Sequence, residues 1–295
     1  VITDEQHRFG VNQRSVFRNK GVMPDVLSMS ATPIPRTYAL TIYGDLSISY
    51  LKPREGTSNI STHIMGDEKL PGLYKFIKER VLKGEQAYIV CPLVLDSEGI
   101  EVYSAKLLYK EVIQGPLKDV NVGLIYGSMK ESDKNAVMQA FYNHELDVLI
   151  ATSVIEVGID SQYASIMAVL NAERFGLATL HQLRGRVGRG DIQSYCILIA
   201  EDSSDRLKML ERCNDGFEIS EYDFINRGEG DLFGVRQSGE TGLILANVKK
   251  DYKLLLRVKE DVLAFIPELF NEDNNLFNNR YQNILDKLSE LEKLD

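Results

Sequence analysis

The sequence predicts an α/β fold organised around a mostly parallel sheet, and two observations carry that prediction. From about residue 86 short apolar runs recur, at 87–93, 122–126, 148–152, 165–170 and 195–200. Between several of them lie helical patterns, at 102–113 and 133–143, the second of which puts Val137, Met138 and Phe141 on one face. Apolar runs alternating with amphipathic helices imply βαβ units. Ligands of such sheets sit beyond the carboxyl ends of the strands, so the loops after these runs are where chemistry is expected.

Taken in order, residues 1–60 share this style but are too short for a complete sheet domain. They read as the tail of an earlier α/β domain, with KPREG at 52–56 as a linker. Residues 61–215 hold the complete domain. Residues 216–245 break the alternation: Phe217, Ile219, Tyr222, Phe224 and Ile225 fall at helical intervals, and Gly228 and Gly230 punctuate the end, which predicts a helical hairpin. Residues 246–295 are polar with leucines at helical spacing and predict terminal helices, with the Asn-rich stretch 271–279 as a loop. The opening VITDEQH has no initiator Met, and only Val1 and Ile2 remain of its apolar run, so a piece of a longer chain is expected.

Composition narrows the class. A 44% hydrophobic content suits a globular chain with a core, and no stretch reads as a membrane helix or secretory signal. Cys91, Cys196 and Cys213 form no CxxC pair, and four histidines show no HExxH spacing, which predicts a reducing, cytoplasmic setting without a structural metal. The net charge of −9 is uneven. Residues 201–295 hold 21 acidic and 13 basic side chains, whereas residues 1–200 hold 22 and 21. Acidity therefore does not exclude nucleic acid, because binding depends on the residues that touch phosphate.

Four stretches carry chemistry. Asp4 and Glu5 follow an apolar strand; adjacent carboxylates can hold Mg²⁺ and polarise an attacking water, although a solvated acidic turn looks the same. SATPIPRT at 30–37 combines small hydroxyl residues with two prolines, as would a Pro-rich turn. ATSVIEVGID at 151–160 ends a strand with hydroxyls and places an acid after glycine, which suits Thr152 to a nucleic-acid phosphate and Asp160 to a ribose hydroxyl. In HQLRGRVGRG at 181–190 three arginines lie within six residues, among glycines that would let the backbone crowd a ligand. Guanidinium groups fork onto phosphate oxygens, so this stretch is the strongest signal.

Taken together and in this order, these stretches resemble a superfamily-two helicase motor: residues 4–7 resemble motif II, 30–32 motif III, 151–160 motif V and 182–189 motif VI. SATPIPRT, VIEVGID, ERFGLATLHQLRGRVGRG and NRGEGDLFGVRQSG more narrowly resemble the RecG family of bacterial branched-DNA helicases, specifically over residues 1 to about 245. The resemblance implies a RecA-like parallel-sheet motor domain, the second of two, preceded by the tail of a first RecA-like domain and followed by the hairpin and terminal helices. No GxxxxGK[ST] phosphate loop is present, so the fragment alone is expected to be inactive while the parent is an ATP-dependent DNA helicase acting on stalled forks and Holliday junctions.

The resemblance also implies ATP and Mg²⁺ between two motor domains. Asp4 would organise Mg²⁺, Glu5 would orient water, and Gln182, Arg186 and Arg189 would act from the second domain, the arginines on the γ-phosphate. Gly158 and Asp160 would hold the nucleotide. Thr32, Cys91, Gly127, Ser128 and Thr152 would follow the DNA backbone, and Arg227, Arg236 and Gln237 would couple hydrolysis to movement. A monomer in the nucleoid is expected, with branched duplex DNA and a single-strand-binding protein as partners and no membrane. Three alternatives stand beside this reading. The transcription–repair coupling translocase shares several motifs, although Glu156, Val157 and Gly158 and the run Tyr43 to Leu46 favour RecG. The others are a non-catalytic binding module and an RNA helicase.

Overall fold

The computed structural model of the chain describes residues 1–4, 25–30, 49, 51, 60–92, 100–152, 161–188, 192–226 and 251–269. They fall in two compact units, one comprising Val1–Pro35 and Ser47–Leu232, the other Arg36–Leu46 and Phe233–Asp295.

In the first unit, strands β1 (Ile2–Thr3) and β2 (Leu27–Ser28) form a small parallel pair. The main sheet has six strands: β3 (Ile60–Met65), β4 (Gln86–Val90), β5 (Val122–Ile125), β6 (Val148–Ala151), β7 (Ala164–Val169) and β8 (Ser194–Ile199). Their order is β3-β8-β7-β4-β6-β5 and every pairing is parallel. The expected α/β class is therefore met, and each of the five apolar runs holds a strand.

The helices follow from the same pattern. They are α1 (Leu70–Val81), α2 (Ile100–Gln114), α3 (Glu131–Tyr142), α4 (Leu177–Arg184), α5 (Asp205–Arg212) and α6 (Gly216–Asn226), with α7 (Tyr252–Leu269) in the second unit. Pro71 lies in the first turn of α1, where its missing N–H costs nothing. Ser204 caps α5 by accepting from the Leu207 N–H.

Successive strand residues point to opposite faces of a sheet. Ala87 and Ile89 accordingly join Leu73 and Ile77 of α1 and Val112 of α2 in one core. Tyr88 and Val90 join Phe141 of α3, Leu180 and Leu183 of α4, and Leu207 and Leu210 of α5 in the other. Phe141 is fully buried with Val137 and Met138 packed alongside, the face that the 3.6-residue spacing predicts. The strand β4 is buried at all five positions, which is why it reads as a continuous apolar run instead of an alternating one. No helix among the described residues is long and apolar enough to cross a membrane.

Candidate functional site

Because the sheet is parallel, the carboxyl ends of its strands share one edge. Cys91 follows β4 there, and its backbone N–H donates to the Ala151 carbonyl at 2.8 Å. Burial pushes its thiol up to about 12, so Cys91 offers this edge a backbone and no reactive side chain. Thr152 follows β6, and its N–H donates to the Ile125 carbonyl at 3.2 Å. Its side chain is 1% exposed and its Oγ1 has no hydrogen-bond partner among the described residues. Gly127 and Ser128 are exposed in the turn after β5, where the Met129 N–H donates to the Tyr126 carbonyl at 3.2 Å. Four of the five positions expected along a DNA backbone thus gather at adjacent strand ends.

Sequence spacing misses a neighbouring charge. Lys106 of α2 holds its Nζ 4.9 Å from the centroid of the Tyr126 ring, beside the same turn. Nothing in the local sequence announces a pair with one member inside a helix and the other beyond the next strand.

A different environment surrounds the arginine-rich stretch. The helix α4 buries Leu177, Leu180, Leu183 and Arg184. Arg184 is 2% exposed. Its Nη1 donates to the Leu210 carbonyl at 2.7 Å and the Cys213 carbonyl at 2.9 Å, with Thr62 Oγ1 at 3.5 Å, while Nη2 lies 2.9 Å from His181 Nδ1. The guanidinium therefore caps the carboxyl end of α5 from within the core. Burial pushes His181 down to about 4, with the Arg184 charge adding to that and Asp215 opposing it, so the ring is neutral and accepts from Arg184.

Arg184, to which the motif assigns no ligand, is thus held within the fold, whereas the arginines expected at the γ-phosphate are Arg186 and Arg189. Arg184 is consumed internally, because the end of a helix supplies orphan carbonyls that bind a guanidinium. Gly188 has φ of 79°, and a Cβ there would lie 2.6 Å from Ile60 Cγ1, so its backbone crowds β3. Gly185 sits in the ordinary helical region with φ of −67°. Gln182, on α4, and Arg186, in the turn after it, are half-buried, and the Arg186 N–H donates to the Leu183 carbonyl at 3.0 Å.

Asp4 is exposed at the end of β1. No group of three His, Cys, Asp or Glu side chains able to hold a metal occurs among the described residues. Proteins commonly hold Mg²⁺ through one or two carboxylates together with phosphates and water, and of the expected pair Asp4 is the described member. Glu5, Thr32, Gly158, Asp160, Arg189, Arg227, Arg236 and Gln237 lie outside the described residues, as do the linker at 52–56 and the Asn-rich stretch.

Two family models match the chain: the helicase conserved C-terminal domain over residues 68–191, and ATP-dependent DNA helicase RecG, domain 3, C-terminal, over residues 213–295. The ATP-dependent DNA helicase RecG of Staphylococcus epidermidis is 44% identical over 271 residues, covering 90% of this chain and 40% of the relative. That of Staphylococcus aureus is 43% identical over 289 residues, covering 96% and 41%. A solved structure of RecG bound to a three-way DNA junction aligns with a TM-score of 0.65 and 38% identity, covering 86% of this chain and 33% of that one. The chain spans about two fifths of the length of the curated relatives it matches.

Proposed function

We propose, from the premise that this chain belongs to the RecG family, that its parent protein is an ATP-dependent DNA helicase that remodels stalled replication forks and Holliday junctions. The chain supplies the second RecA-like motor domain over residues 61–215, after the tail of the first over 1–60. A translocation hairpin at 216–245 and helices at 246–295 follow. One observation carries the reading: the similarity runs over 96% of the chain at 43% identity. A structure of a relative on a three-way junction supports branched duplex DNA as the substrate class.

In this reading Gly127, Ser128 and Thr152 take the phosphate backbone. Exposed turn groups and an unsatisfied hydroxyl suit an acceptor-rich strand that presents no sequence to read. Arg186, with Arg189 and Gln182, acts on ATP held against the first motor domain, where a guanidinium neutralises charge developing on the γ-phosphate. Asp4, Glu5, Gly158 and Asp160 complete the nucleotide site, and Mg²⁺ supplies charge neutralisation when bound. Arg227, Arg236 and Gln237 couple closure to movement along DNA. The 295-residue chain contains no GxxxxGK[ST] loop and does not hydrolyse ATP by itself. The protein works as a monomer in the cytoplasm, close to the nucleoid, with a single-strand-binding protein as partner.

The test is ATP turnover of the full-length protein on three-way junctions, linear duplex and RNA. Strongest stimulation by the junction is expected. Equal stimulation by linear duplex favours the transcription–repair type of translocase, and stimulation by RNA alone overturns the assignment.

A further inference from the structure

We propose that Arg184 is a positioning residue for Arg186, and that Arg184 and Gly188 together hold the backbone of residues 185–187 in one conformation. The proposal rests on the reading of Arg186 given above and adds the device that presents it.

A buried guanidinium is costly unless its donors are met. Arg184 meets that requirement with two carbonyls, a hydroxyl and an imidazole, none of them a carboxylate. A helix end is ordinarily satisfied by glycine or water at far lower cost. What an arginine adds is a fixed distance: it ties the last residue of α4 to the carboxyl end of α5 and reaches Thr62 in β3. The second anchor lies two residues beyond Arg186. At Gly188 the left-handed backbone presses against Ile60, the first residue of β3, leaving no room for a side chain. Arg186 sits between the anchors, its N–H held by the Leu183 carbonyl. With the backbone restrained on both sides, Arg186 is presented to the nucleotide cleft from a fixed backbone position. Preorganisation of this kind protects rate more than affinity, since a misplacement of about 1 Å costs on the order of 10²-fold.

A purely structural cap makes a different prediction, and a double-mutant cycle in the full-length protein separates the two. Steady-state ATP turnover at saturating junction DNA is measured for R184Q, R186A and the double variant, alongside thermal melting. Positioning predicts that R184Q lowers kcat roughly 10–100-fold, with KM for ATP and Kd for DNA moved less than about twofold. The double variant then turns over as slowly as R186A alone, within about twofold, because nothing is left to position. Multiplicative losses overturn the proposal and leave the reading of Arg186 intact. A loss under about tenfold for R186A itself removes that reading, and this proposal with it. Where R184Q melts too low to assay, G188A and H181L run through the same cycle under the same criteria, since one disturbs the second anchor and the other removes a single acceptor.

Discussion

The carboxyl edge of the sheet and the turn after α4 are both read from sequence as phosphate-handling, yet they distribute polar groups in opposite ways. At the edge, Thr152 carries a buried hydroxyl that no described residue satisfies, and Gly127 and Ser128 face solvent. At the turn, the most basic stretch of the chain spends Arg184 on the end of a neighbouring helix. The described residues leave the Thr152 hydroxyl without a partner, whereas the Arg184 donors are met within the fold. A motif gives residue types and spacing, and neither says which way a side chain faces.

The largest expected effect tests whether the turn still holds a group for the nucleotide. R186A in the full-length protein lowers ATP turnover by about 10³-fold, the range of an arginine that stabilises a transferring phosphoryl group, with ATP and DNA binding retained. Turnover measured beside equilibrium binding checks this, and a loss below about tenfold erases the contrast between Arg186 and Arg184.

R184M addresses the architectural half. Its volume is similar, but the Leu210 and Cys213 carbonyls lose their donor, at a cost of about 3 kcal/mol in denaturant unfolding. G188A costs roughly 1–3 kcal/mol, from left-handed strain and the displacement of Ile60. If both variants unfold with the wild type, the turn is not held as described.

A pH titration sharpens the same half. His181 lies at about 4 in the folded protein against 6.5 ordinarily, so the unfolded chain takes up the proton first as pH falls. The stability contributed by the neutral ring is therefore fully present above about pH 6.5 and is lost progressively towards pH 4. In H181Q, which keeps an acceptor and does not titrate, the fall in melting temperature over that window is smaller.

The smallest effect belongs to the edge and has opposite signs in two assays. T152V removes a buried hydroxyl without a partner, so folding stability rises by up to about 1 kcal/mol. DNA affinity falls roughly 3–10-fold if the hydroxyl donates to a phosphate, which corresponds to one ordinary hydrogen bond. Loss of stability without loss of affinity means that the hydroxyl serves the fold.

Strands buried on both faces are the legible part of the fold, because a run such as Tyr88, Ile89 and Val90 leaves no alternative periodicity. The strand β3 is not legible. Its sequence ISTHIM is an edge strand, with Ser61 and His63 diluting the apolar signal and Thr62 turned towards Arg184. Neither is α1, whose opening Leu-Pro-Gly reads as a turn although proline is at home in a first helical turn. The helical intervals of Phe217, Ile219, Tyr222 and Phe224 do mark α6. In the candidate site, the gathering of Cys91, Gly127, Ser128 and Thr152 is legible because loops after parallel strands must share an edge. The inward turn of Arg184 is not, since it depends on where α5 ends, and no local pattern in 181–190 encodes that.

The pairing of β3 with β8 also sets an order of events during synthesis. Ile60 pairs with Ser194 and Met65 with Ile199, so the first strand of the main sheet has no partner until the last one has been made. The strands β4, β5 and β6 can associate as soon as residue 151 has left the ribosome, whereas β3 must wait with its backbone donors and acceptors open to water. A waiting edge of this kind invites pairing with other chains. The polar residues that hide β3 from sequence reading are the same ones that keep it soluble in the interval: Ser61, Thr62 and His63 make the unpaired segment a poor template for aggregation until β8 arrives.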